Sequence, residues 1–144
     1  HSTVLFLGEV EEQSLLQIKE IISEEVSELT TFFIDLGAPD LIFKGQKPSI
    51  MFMKVFDQSG TLQELHDRLL ERIKKIIKIE EKPFSPHITL ARVKGTLRHR
   101  KKISIESGHI DAVFPVESIE LVESVLTPIG PLHTTLATFE VPHA

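Results

Sequence analysis

The chain has no cysteine, no tryptophan and no tyrosine in 144 residues. Without cysteine there are no disulfides, no thiolate catalysis and no zinc–thiolate sites. No apolar run approaches the roughly 18 residues that a membrane span needs. The first residues read as a strand rather than a signal peptide, so a cytoplasmic protein with no membrane attachment is expected. Positive charge is in deficit: 16 Lys and Arg against 21 Asp and Glu leave a net charge of −5. A protein that coats nucleic acid through many phosphate contacts is disfavoured by that balance. One basic segment runs against it, Arg98, His99, Arg100, Lys101 and Lys102, with Lys94 just upstream.

What is present is an ordinary globular composition, 41% hydrophobic and 26% charged, at a length that suits one domain spanning residues 1–144. Thr3 to Leu7 reads as a buried strand ending at Gly8. From about Glu12 to Leu29, apolar residues recur at helical spacing with Glu on the other face, which predicts an amphipathic helix. Thr31 to Leu36 is strand-like, Gly37, Pro39 and Asp40 mark a turn, and Leu41 to Phe43 reads as a short strand. Ile50 to Phe56 is a clearer strand, entered through Pro48. A second amphipathic helix is predicted from about Thr61 to Ile77, with Thr61 and Glu64 in a capping-box pattern. Ile88 to Val93 is the next strand, and further strands fall at about 110–114, 117–125 and 135–141. The irregular alternation, with hairpin spacing near the end, points to an α+β fold.

Histidine carries the chemical information. Three of the seven begin a His-x-Thr triplet: His1-Ser2-Thr3, His87-Ile88-Thr89 and His133-Thr134-Thr135. Chance supplies about half of one such triplet here, and a single triplet is a weak signal. Its physics is specific, because residues i and i+2 of a strand share a face. Two such strands would surround a small anion with two imidazoles and two hydroxyl donors. An imidazole, with an unperturbed pKa of about 6.5, gives or takes a proton near neutrality. Such a pair suits phosphoester hydrolysis, one His activating water and the other protonating the leaving oxygen. The hydroxyls and a nearby cation can stabilise the developing charge, so no metal and no cofactor are required. Each histidine also has a plainer reading. His87 can be a hydrogen-bonded histidine at a strand end, His1 the remnant of a tag or a truncation, and His133 a surface residue in a turn. His66 lies inside the second helix, and neither it nor His99, His109 or His143 sits in a strong motif. No helical His pair or H-E-x-x-H pattern suggests a metal site.

The flanking residues add a resemblance. His-Ser-Thr-Val-Leu-Phe-Leu-Gly-Glu-Val at 1–10 and Ser-Pro-His-Ile-Thr-Leu-Ala-Arg-Val-Lys at 85–94 resemble the two signature segments of the two-histidine phosphoesterase superfamily. They are most similar to its bacterial and archaeal branch, the 2′-5′ RNA ligases or RNA 2′,3′-cyclic phosphodiesterases. Residues 119–131 and Leu136-Ala137-Thr138-Phe139 resemble that branch as well.

The resemblance implies a bilobal α+β fold, two antiparallel sheets flanking a central cleft with helices outside, each sheet supplying one triplet. It implies His1 as the acid and His87 as the base. Thr3, Thr89 and Arg92 are the implied phosphate-binding residues. In a strict strand Arg92 would point away from His87, since their offset of five is odd, so a bulge or a strand end is required. Members normally carry a strand and a helix before the first motif, which this sequence lacks, and an aromatic residue where His133 stands.

The implied activity is metal-independent hydrolysis of RNA 2′,3′-cyclic phosphate ends to a 2′-phosphate by a monomer. The alternatives are 2′-5′ joining of tRNA halves and a non-catalytic module that binds nucleotide or RNA ends. Base stacking would have to come from Phe or Arg, with Phe43, Phe52, Phe56 and Phe84 as candidates. The basic segment would be either a solvated loop or a patch steering an RNA tail.

Overall fold

The computed structural model describes residues 1–93 and 112–143; the basic segment, with His99, and His109 lie outside the described residues. In chain order the elements are α1 (Glu12–Ser27), β1 (Phe32–Lys44), β2 (Lys47–Phe56), α2 (Thr61–Ile73), β3 (His87–Arg92), β4 (Val113–Val116), β5 (Ser118–Thr127) and β6 (Gly130–Glu140). Strands β3-β2-β1-β4 form one antiparallel sheet and β5-β6 a second. The α+β class expected from the sequence is the one observed.

The core lies where the apolar stripes of the two helices meet both sheets. Ile18, Ile22 and Val26 of α1 and Leu65, Leu69 and Ile73 of α2 pack with Phe32, Val55, Leu121 and Val141. Ile18, Val26, Leu65, Ile73 and Val141 are almost fully buried, and each contributes about 1.5–3 kcal/mol by leaving water. Above that stripe, Arg72 donates to Glu25 at 2.7 Å and to Glu24 at 2.5 Å, while Arg68 reaches Glu25 at 3.1 Å. Two guanidiniums thus compensate the buried Glu25 carboxylate. The bonds to Glu25 and Glu24 hold the Arg72 guanidinium above its usual pKa.

Several local expectations are corrected. Thr3 to Leu7 forms no strand. Val4, Leu5 and Leu7 do pack on the core, so the apolar run reported burial, but no strand among the described residues bonds to it. The turn expected at Gly37–Asp40 is instead a bulge within β1, where Gly37 and Ala38 together oppose Lys54. Among the described residues β4 pairs with β1 only as far as Asp35, so that Pro39 has a single strand neighbour among them, a position where proline is tolerated. The true hairpin turn is Gly45-Gln46, with Gly45 at φ 66°. The capping box at Thr61 and Glu64 does not form. Asp57 caps α2, accepting from the Leu62 N–H at 2.7 Å and the Ser59 N–H at 2.9 Å. Gly60, at φ 75°, makes the turn into the helix. The helix ends at Ile73 rather than Ile77, running on into turns closed by Ile76 and Ile77 N–H bonds to the Ile73 carbonyl.

Candidate active site

Among the described residues strand β3 lies at the edge of its sheet, and its pairing with β2 decides which side chains share a face. His87 stands opposite Lys54, Thr89 opposite Phe52 and Arg92 opposite Ile50. Directly opposed residues share a face, and Ile50, Phe52 and Lys54 alternate along β2 on one side. The register shifts between Met51 and Phe52, with Leu90 as the extra residue in β3. That bulge moves Arg92 onto the face of His87 and Thr89. The sequence required a bulge for this to happen, and β3 has one. Val55, one residue away from Lys54 on β2, belongs to the helix-covered core. The face bearing His87, Thr89 and Arg92 is therefore turned away from the helices.

The His87 ring is half-buried, packs edge-on against Phe52 at 5.8 Å between centroids, and has its Nδ1 2.8 Å from the Ser85 carbonyl oxygen. A carbonyl only accepts, so Nδ1 must carry the proton. In the neutral ring this leaves the Nε2 lone pair unprotonated, which is the form a general base needs. Lys54, directly opposite, is a cation that the sequence did not single out. Phe52 is buried and serves as the wall behind the imidazole. Phe56, on the same face, is half exposed, with its ring over Gly37, where an added Cβ would stand 2.8 Å from it.

The first triplet is held differently. His1 and Thr3 are exposed, and the intervening Ser2 turns its hydroxyl inward, where it meets no hydrogen-bond partner among the described residues. The His1 ring stands edge-on to His133 of β6, centroids 5.9 Å apart. His133 is in turn fixed by a 2.7 Å hydrogen bond between its Nδ1 and the Ser124 hydroxyl on β5. His133 and Thr135 oppose Ser124 and Val122 on one face of the second sheet. The third triplet, whose histidine could also be read from the sequence as a surface residue in a turn, thus places its imidazole against the first histidine. Among the described residues no hydrogen bond joins His1 to His87. The link runs through His66 of α2, whose Nδ1 lies 2.7 Å from the Val4 carbonyl and whose ring stacks on Phe84 at 4.3 Å. Sequence reasoning passed over His66. The available signal was a histidine among Leu62, Leu65 and Leu69 on the buried helix stripe.

Among the described residues no three of His, Asp and Glu are grouped so as to hold a metal ion, and no helix is long and apolar enough to cross a membrane. A family model described as the 2′-5′ RNA ligase superfamily matches residues 1–127. The chain belongs to that superfamily. An RNA 2′,3′-cyclic phosphodiesterase of Archaeoglobus fulgidus is 32% identical over 152 residues, spanning 97% of this chain and 78% of that protein. Another, from Aeropyrum pernix, is 33% identical over 141 residues, spanning 94% and 78%. Among solved structures, TT0787 of Thermus thermophilus superposes with a TM-score of 0.85 at 27% identity, covering 99% of this chain and 78% of that one. The apo form of E. coli LigT superposes at 0.77 with 19% identity, covering 99% and 76%, a likeness of fold. In this member of the 2′-5′ RNA ligase superfamily both His1 and His87 fall inside the matched span, whereas His133 lies beyond it.

Proposed function

We propose that this chain is an RNA 2′,3′-cyclic phosphodiesterase that opens the cyclic phosphate to a 2′-phosphate and a free 3′-hydroxyl. The relatives that carry this name align over nearly the whole chain. The observation that carries the mechanism is the Nδ1 bond of His87 to the Ser85 carbonyl. His87 Nε2 takes a proton from water as the water oxygen attacks phosphorus. The P–O3′ bond breaks, and His1 supplies the proton that the departing 3′ oxygen needs. Thr89 and Arg92, on the His87 face, and Thr3 beside His1 hold the phosphate oxygens. Arg92 and Lys54 supply positive charge to the pentacoordinate state.

Side chains thus cover every role in the reaction, so the hydrolysis proceeds without metal or other cofactor. An RNA or nucleotide bearing a cyclic phosphate end is the substrate, with tRNA halves as candidates, and the protein acts as a cytoplasmic monomer in one bilobal domain. The superfamily description favours one further reading, 2′-5′ joining of RNA ends in the same cleft.

The test is incubation with a short RNA ending in a 2′,3′-cyclic phosphate, in the presence of EDTA, with the product identified. A 2′-phosphate product, a bell-shaped rate–pH profile centred near neutrality and a roughly 10²–10⁴-fold loss in His87→Ala are expected. Full turnover by His87→Ala, or loss of turnover in EDTA, refutes the mechanism. A joined, 2′-5′-linked product from cleaved tRNA halves would establish the second reading.

A further inference from the structure

We infer that His66 is a positioning residue that braces the two motif-bearing segments against each other from the middle of α2. Its significance for catalysis rests on the two-histidine reading above. His66 is 7% exposed, a buried titratable side chain on a stripe otherwise made of Leu62, Leu65, Leu69 and Ile73. The other buried titratable group in the core, Glu25, is explained by Arg68 and Arg72. No charged partner of that kind meets His66 among the described residues; its polar contact is one carbonyl.

That carbonyl belongs to Val4, the residue after Thr3, and the bond is 2.7 Å long. Because a carbonyl only accepts, His66 Nδ1 is the donor and carries the proton. The opposite role is played by the ring face, which lies parallel to Phe84 within 7° at 4.3 Å between centroids. Phe84 is three residues before His87. One imidazole therefore grips the backbone just past the first triplet and the side chain just before the second.

The need for such a brace follows from the fold. Among the described residues, residues 1–10 pair with no strand, so it is the packing of Val4, Leu5 and Leu7 on the core, together with side-chain contacts, that places His1 and Thr3. The second segment reaches β3 through an irregular stretch containing Pro83 and Pro86. α2 is anchored independently by the core and by the Asp57 cap, and it supplies the common reference. Displacing a reacting group by about 1 Å costs on the order of 10²-fold in rate, so a loosened Val4 should lower turnover more than substrate binding.

Two substitutions separate the two halves of the brace. His66→Phe keeps the stack on Phe84 and loses the bond, whereas His66→Asn keeps a donor at the Nδ1 position and loses the stack. Thermal stability should fall less in the Phe variant than in the Asn variant. For kcat on a cyclic-phosphate RNA the order should reverse. The Phe variant is expected to lose about 10- to 100-fold with KM changed by less than about threefold, and the Asn variant to stay within about fivefold of the unmutated chain. In the unmutated protein, nitrogen-15 NMR should find His66 as the Nδ1–H tautomer.

Activity that follows stability, wild-type kcat in His66→Phe, or an Nε2–H tautomer overturns the inference; the tautomer decides it even if a variant does not fold. His87→Ala is measured alongside. If it loses turnover while His66→Phe keeps it, only the brace is wrong. If His87→Ala keeps turnover, the two-histidine reading fails and the catalytic role of His66 fails with it.

Discussion

The two segments that carry the His-x-Thr triplets present the same side chains on different supports. Residues 87–89 sit in a paired strand, where register fixes the face, a bulge at Leu90 brings in Arg92, and the Ser85 carbonyl fixes the His87 tautomer. Residues 1–3 belong to no sheet, and side chains from other elements hold them: His133 against the His1 ring, and His66 on the Val4 carbonyl. A ladder positions a residue through many cooperative backbone bonds, whereas the first segment is held by the packing of Val4, Leu5 and Leu7 on the core and by single side-chain contacts. The second triplet is thus placed by sheet register, the first by packing and side-chain contacts.

The comparison is broken most directly by removing each imidazole. His1→Ala and His87→Ala should each lower kcat by about 10²–10⁴-fold, and the double variant should be little worse than either single one, because the proposed acid and base would act as a unit. Additive losses in steady-state kinetics would show that the two supports serve separate steps. Next in size is the bulge. Deleting Leu90 should return Arg92 to the opposite face and match Arg92→Ala, with kcat/KM down roughly 10- to 150-fold for loss of the proposed charge-assisted phosphate contact. A deletion variant with unchanged kcat/KM would mean that the face of Arg92 is irrelevant. The smallest effect concerns the helix that braces the first segment. Asp57→Ala should cost about 1 kcal/mol in chemical denaturation, and Thr61→Ala less than about 0.5 kcal/mol, since Asp57 rather than Thr61 caps α2. Equal losses would restore the capping box that the sequence suggested.

Much of this was legible in the residues. The apolar spacing from Leu15 to Val26 and from Leu62 to Ile73 specified both helices, because a helix buries a stripe that recurs every three or four residues. The need for a bulge before Arg92 could be read from an odd offset. The motif at 87–89 was visible because its geometry is local: two side chains on one strand face. Other features were not visible. Thr3 to Leu7 has strand composition, but composition does not reveal whether a neighbouring strand is there to pair. Pro39 argued for a turn because its tolerance depends on how far β4 extends along β1. His66 looked unremarkable inside a helix, since its partners, Val4 and Phe84, lie 62 residues before it and 18 after it.

By itself the sequence determined the elements with strong periodicity, the α+β class, and the shared face of His87 and Thr89 at i and i+2 of one strand. These are properties of nearby residues, set by backbone geometry that repeats wherever such residues occur. Only the tertiary structure decided that His133 faces His1, that Lys54 stands opposite His87, that Arg92 shares the His87 face, and that the buried His66 touches both Val4 and Phe84. Those contacts depend on register and on packing between distant segments, and no local pattern encodes the distance between residues that the chain brings together only when it folds.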